Sequence, residues 1–248
     1  MNIDILTLFP EMFTPLKVSM LGRAGEKGIL DINLVNIRDF TKDKHNRTDD
    51  YPFGGGQGMI MMADPIFSAL EDIYAEKKKI LYMSPRGKVL SQSKITELVS
   101  EENLVILCGH YEGIDERILE HWDIEEVSIG DYILTGGEPA AIVLVDAVAR
   151  MIPGVLSGKE SAEEESIYSG LLEYPQYTQP RSYRDMDVPE VLLSGHHLNI
   201  KLWKLEKSLR ITKKRRPDLF EKFLREEHDF SKKEKEILDR VSEEELSE

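Results

Sequence analysis

Between residues 79 and 152 the chain alternates regularly, without internal sequence repeats, between a short apolar run, a glycine-bearing turn and a stretch with helical spacing. The runs are 79–83, 104–108 and 127–129. The turns are MSPRGK (83–88), LCGHYEGIDER (107–117) and VSIGDYILTGGE (127–138), and the helical stretches are 91–100, 113–121 and 139–152. Alternation of this kind predicts an α/β fold with a mainly parallel sheet covered by helices. Glycine lets backbone approach a ligand closely, and loops at the carboxyl ends of parallel strands are the usual place for small-molecule sites. Three such turns, carrying Tyr111, Glu112, Asp115, Ser128, Asp131 and Tyr132, can converge on one ligand. The competing reading is that each glycine only ends a strand.

Around this block the spacing predicts strands over 2–9 and 32–37, with a short helix and turn between them. Residues 41–58, TKDKHNRTDDYPFGGGQG, have no periodicity and read as a long exposed loop. Asp64 before Pro65 reads as an N-cap opening a helix to about residue 76. The stretch 139–152 is nearly all apolar and should be buried on most of its surface. Residues 154–170 are small, polar and acidic, as an interdomain linker would be. The aromatic and proline-rich residues 174–183 would then anchor a second, helical domain, with helices over 189–194, 197–210 and 217–227. Residues 231–246 read as a charged helix or frayed tail. The expected organisation is an α/β domain over 1–156, a linker over 157–170 and a small helical domain with a charged tail over 171–248.

Hydrophobic residues at 41% and charged residues at 31% fit a folded globular chain, and no apolar run approaches a membrane span. The chain opens on a strand pattern rather than a basic leader, which predicts a cytoplasmic protein without membrane attachment. The single cysteine, Cys108, ends an apolar run and reads as a small buried residue. The histidines lack zinc spacing, so no structural metal is expected. A net charge of -14 argues against coating nucleic acid by charge alone. The charge is uneven: residues 201–225 hold ten Lys or Arg against three acids, and residues 226–248 hold ten acids against four bases.

GGGQG (54–58) is neither a Walker loop nor a dinucleotide fingerprint. It remains a flexible loop rich in backbone donors. Glu163, Glu164 and Glu165 read as a solvated charge run, and Arg150 as a cation suited to a helix C-terminus. The segment KLWKLEKSLRITKKRRPDLF (201–220) interleaves Trp203 and Phe220 with bases, which fits either RNA contact or a solvated helix face.

Taken together, ILTLFPEMF, YPFGGGQGM, MSPRGK, CGHYEGIDER, SIGDYILTGGE, VARMIPGVL, GLLEYPQYTQPR, VPEVLLSGHH and RRPDLF resemble, almost end to end, the bacterial tRNA (guanine-N1)-methyltransferase family of SPOUT methyltransferases. The resemblance implies a deep trefoil knot whose loops hold S-adenosyl-methionine. It implies cofactor contacts at Tyr82, Ser84, Pro85, Gly109, Tyr111, Glu112, Gly113, Ser128, Ile129, Gly130, Asp131, Tyr132, Ile133, Leu134, Gly136 and Gly137. It also implies a homodimer in which the partner completes each active site, tRNA as substrate, and methylation of the guanine immediately 3′ of the anticodon, position 37. Glu165 stands at the family's base position and Arg150 at its arginine, with Asp50 and Ser161 near the RNA. Magnesium is a further cofactor the resemblance suggests, with no carboxylate cage in the sequence to locate it.

Loss of the guanine N1 proton before methyl transfer calls for a carboxylate base, and the charge shifted toward O6 calls for a cation. The chain departs from the family pattern in three places. The base is Glu rather than Asp, with Glu164 as the alternative; GGEPAA (136–141) lacks a residue commonly found between Glu and Pro; and His196 stands where Asn or Asp is commoner. The competing functions are methylation of ribosomal RNA by a relative of the same fold, and RNA binding without catalysis.

Overall fold

The computed structural model describes residues 1–156 and 170–244. The chain divides into two compact units, Met1–Lys159 and Glu160–Glu248. Of the expected linker, 157–170, all but Gly170 lies outside the described residues.

In the first unit the chain runs β1 (Asn2–Thr7), α1 (Ser19–Glu26), β2 (Asp31–Asn36), β3 (Asp49–Asp50), β4 (Ile60–Met61), α2 (Ala63–Asp72) and β5 (Lys79–Val89). It continues with α3 (Gln92–Val99), β6 (Asn103–Cys108), α4 (Glu116–His121), β7 (Ile124–Ser128) and α5 (Glu138–Ala149). Five strands form one sheet in the order β2-β1-β6-β5-β7, and every neighbouring pair is parallel. The expected α/β architecture is present.

The two-residue period of a strand sends alternate side chains to opposite faces, and both faces are covered. Ile3, Ile5, Leu81, Met83, Leu104, Ile106 and Cys108 pack with Ala141, Leu144, Val145 and Val148 of α5 and with Ile95 and Leu98 of α3. Leu6, Ile80, Tyr82, Val105 and Leu107 pack against Ile66, Ala69 and Leu70 of α2 and Ile118 of α4. This is why 104–108 is a continuous apolar run rather than an alternating one. Each such fully buried aliphatic side chain contributes about 1.5–3 kcal/mol relative to exposure.

The structure corrects several boundaries. Strand β1 ends at Thr7 rather than 9, and residues 10–17, containing Pro10 and Pro15, form a 3-10 helix. The N-cap of α2 is Met62, with Asp64 in the first turn, and the helix stops before Tyr74, which has a left-handed φ of 54°. Helix α4 begins only at Glu116, because Asp115 caps it by accepting from the Arg117 N–H. Strand β7 begins at Ile124 rather than 127. Its acidic residues are neutralised from neighbouring elements, Glu125 by Lys79 at 2.8 Å and Lys94 at 2.7 Å, and Glu126 by Arg86 at 2.9 Å. The segment 41–58 is not wholly irregular, since Asp49 and Asp50 pair antiparallel with Met61 and Ile60.

Strand β5 carries an irregularity that shapes the site. It pairs with β7 through Met83, departs, and rejoins the same strand at Lys88 and Val89. Residues 84–87 therefore bulge outward, and Gly87 lies so close to the backbone of Glu126 and Val127 that a Cβ there would collide with it.

The second unit contains β8 (Ser182–Tyr183), β9 (Met186–Asp187), α6 (Glu190–Leu193), α7 (His197–Arg215), α8 (Pro217–Arg225) and α9 (Lys232–Glu243). Its core is Leu171, Leu209, Phe220, Phe223, Ile237 and Val241. The aromatic stretch 174–183 is not the anchor: Leu171 is, while Tyr177 and Tyr183 are exposed. Phe220 belongs to this core and cannot interleave with bases on a surface. The segment after 231 is a helix, opened by a capping box between Ser231 and Glu234. It packs on α7 through charge as well as apolar contact. Lys201 meets Glu234 at 2.8 Å, Arg210 holds Glu206 and Glu244, and Lys213 Nζ donates to the carbonyls of Val241, Ser242 and Glu244.

Candidate active site

The bulge of β5 and the loops after β6 and β7 lie at the same edge of the sheet and enclose a cavity of about 340 Å³. Tyr82, Ser84, Pro85, Gly109, Tyr111, Glu112, Gly113, Ser128, Ile129, Gly130, Tyr132, Ile133, Leu134, Gly136 and Gly137 line it. Asp131 does not; it is exposed. Arg86, His110 and Ala140 also line the wall and are additional to the residues expected from sequence.

Each loop is held by its neighbours. In the first, Ser84 Oγ accepts the Arg86 N–H at 3.2 Å. The Arg86 guanidinium then spans Glu126 of β7 at 2.9 Å and Glu116 of α4 at 3.1 Å. These carboxylates raise its pKa, so it is a permanent cation. In the second loop, Tyr111 is left-handed at φ 58°. That loop is stitched to the 41–61 hairpin by Glu112 N–H to Met59 O at 3.0 Å and Met61 N–H to Gly113 O at 2.9 Å. In the third, Ser128 Oγ accepts the Gly130 N–H at 3.1 Å, and Gly137 N–H donates to Gly109 O at 2.8 Å.

Two glycines make this convergence possible. A Cβ on Gly109 would stand 2.7 Å from Tyr82 Oη, and one on Gly137 would stand 2.9 Å from Cys108 Cα. Tyr82 packs beneath the cavity, and burial pushes its phenol up to about 12. Burial likewise raises Cys108 well above the usual thiol range, with Glu138 adding to the effect, so it is no nucleophile. The wall mixes backbone groups with Ile129, Leu134 and Ala140. It suits a small molecule with both a flat apolar part and several polar atoms.

Asp50 and Arg150 are not among the residues of this wall. Asp50 sits in β3, its Oδ1 accepting the Tyr51 N–H at 2.8 Å. Arg150 is the C-cap of α5, thirteen residues past Gly137 and about 20 Å away at the rise of an α-helix. Glu165, Glu164 and Ser161 lie outside the described residues. Among the described residues no group of three or more His, Cys, Asp or Glu is placed to hold a metal ion, and no helix is long and apolar enough to cross a membrane.

The model of the family described as tRNA (Guanine-1)-methyltransferase TrmD matches residues 1–222. The chain belongs to the TrmD family. TrmD-family relatives named tRNA (guanine-N(1)-)-methyltransferase include one from Clostridium botulinum, 56% identical over 230 residues, covering 92% of this chain and 95% of the relative. One from Ruminiclostridium cellulolyticum is 56% identical over 226 residues, covering 90% and 97%. One from Clostridium kluyveri is 54% identical over 238 residues, covering 96% and 95%. The TrmD-family match takes in all three cavity loops and Arg150, and ends within α8.

Proposed function

We propose that the chain transfers a methyl group from S-adenosyl-methionine to N1 of the guanine immediately 3′ of the anticodon, position 37, in tRNA. The observation that carries this reading is membership of the family over residues 1–222, with relatives of that name more than half identical over nine-tenths of the chain. The cavity supports it. Glycines at the points of closest approach, apolar residues and exposed backbone groups suit a nucleoside joined to an amino acid. We take the cavity as the cofactor site and the knot as the reason three loops close on it.

S-adenosyl-methionine, when bound, supplies a methyl group activated by its sulfonium. The chain must do the rest. N1 of guanine carries a proton at neutral pH, so Glu165 acts as the base that removes it, an effect worth about 10²–10⁴-fold. Arg150 stands against O6, where negative charge accumulates. Asp50 and Ser161 lie along the RNA. Since Arg150 lies ten residues, about 15 Å, along α5 from Ala140 on the wall of its own cavity, the reading takes a homodimer in which Arg150 and Glu165 serve the partner's cavity. The helical second unit holds the tRNA. No step is assigned to magnesium.

The test is transfer of labelled methyl to a tRNA transcript with guanine 3′ of the anticodon, beside a copy with adenine there. Labelling of the guanine transcript alone, lost in Glu165→Gln, is expected. Labelling of ribosomal RNA instead, or of neither with cofactor still bound, would overturn the assignment.

A further inference from the structure

We propose that His110 contacts the cofactor through Nδ1 and is presented for that purpose in one tautomer by the buried carboxylate of Glu138.

Glu138 is fully buried at the first residue of α5. Both its oxygens are occupied. Thr7 Oγ1 donates to Oε1 at 2.7 Å, and His110 Nε2 stands 2.8 Å from Oε2. The Thr7 hydroxyl itself accepts the Phe9 N–H at 2.9 Å, so it has its own proton to give. A carboxylate in the first turn of a helix suits its dipole, and with Oε1 accepting from Thr7 the other oxygen is placed to accept from the ring. The proton of the imidazole is therefore on Nε2, facing Glu138. In a neutral ring this leaves Nδ1 as an acceptor.

The ring is fixed as well as oriented. Its centroid lies 4.8 Å from that of Phe9, and the backbone N–H of His110 donates to Met61 Sδ at 3.2 Å. Gly136 leaves the space the ring occupies, since a Cβ there would collide with it. The side chain is 16% exposed, on the cavity wall. Nδ1 has no hydrogen-bond partner among the described residues. An oriented acceptor on a ligand-sized cavity suits a hydroxyl or amino donor, the groups borne by a ribose and an amino acid. The inference rests on reading the cavity as the S-adenosyl-methionine site, and deepens it.

The test uses S-adenosyl-homocysteine as probe, with calorimetry and nitrogen-15 spectra of histidine-labelled protein. In the unmodified protein His110 should show the Nε2–H tautomer, and its Nδ1 resonance should shift when the probe binds. His110→Gln, whose amide can still reach Glu138 but offers nothing at Nδ1, should bind about tenfold more weakly, the worth of one hydrogen bond. Glu138→Gln should abolish the single-tautomer signature. Unchanged affinity in His110→Gln, an Nδ1–H tautomer, or an unmoved Nδ1 resonance on binding would each overturn the inference while leaving the cavity assignment intact. Failure of the unmodified protein to bind the probe would instead overturn the cavity assignment, and this inference with it.

Discussion

Arg150 and Gly137 stand at opposite ends of one helix: Gly137 lines the cavity, and Arg150 closes α5 about 20 Å away by helical rise. A group bound against Gly137 is therefore separated from the Arg150 backbone by the full length of the helix.

If the partner supplies Arg150 and Glu165, inactive variants should complement across the dimer. A purified heterodimer of Gly137→Val with Glu165→Gln keeps one intact site of two and should recover about half the activity expected of a symmetric pair of sites. Arg150→Ala with Glu165→Gln leaves no intact site and should remain inactive. The measurement is methyl transfer by heterodimers carrying two affinity tags. Recovery in the second pairing would show that Arg150 acts in its own chain.

Gly137→Ala places a methyl 2.9 Å from Cys108 Cα, a backbone atom that cannot swing aside. Overpacking of this kind costs about 1–3 kcal/mol. The melting temperature should fall, and stabilisation by S-adenosyl-homocysteine should shrink with it. A variant that melts and binds as the parent does would mean the third loop can move off β6.

Glu234 is held at about 2, below its reference value of 4.5, first by the hydrogen bond from Lys201 and then by those from Ser231. A depressed carboxylate contributes stability that is present above its unfolded pKa and lost as pH falls through the folded one. The second unit should therefore weaken between about pH 4.5 and 2. Glu234→Gln should flatten that limb and cost about 1 kcal/mol at neutral pH as the charge facing Lys201 is lost, while Gln can keep the capping box. Helical circular dichroism across this range reads both effects.

Cys108 should resist alkylation in the native protein at mildly alkaline pH and react promptly once unfolded, because burial keeps it as the thiol. Mass-resolved labelling against denaturant measures the contrast. Rapid labelling of the native state would mean that the sheet beneath the cavity opens readily.

The parts of this fold that sequence reveals are those where one residue's neighbours in the chain decide its state. The run 104–108 is apolar throughout because both faces of β6 are covered, and it reads as a buried strand without further information. The glycine turns mark the cavity loops for the same reason. What stays hidden depends on residues far away along the chain. Strand β7 looks too acidic at Glu125 and Glu126 until Lys79, Lys94 and Arg86 are seen against it. Glu138 reads as an ordinary acid at a helix start, and only Thr7, 131 residues earlier, and His110 explain its burial.

Phe220 shows the opposite error. Its basic neighbours suggest a surface, whereas the amphipathic turn of α8 places it in the core with Phe223. The long 3-10 helix over 10–17 escapes detection because Pro10 reads only as the end of the first strand, although proline fixes φ compatibly with such a helix.

The grip of Lys213 on three carbonyls at the end of α9, with Arg210 on Glu244, bears on ionic strength. Each phosphate neutralised by a protein cation makes log affinity fall with log salt by a slope of about 0.9 for duplex and 0.7 for single strands. A phosphate can take Lys213 only by unseating the last turn of α9. The steepness with which RNA affinity declines as salt rises thus reports whether that turn stays in place when RNA binds.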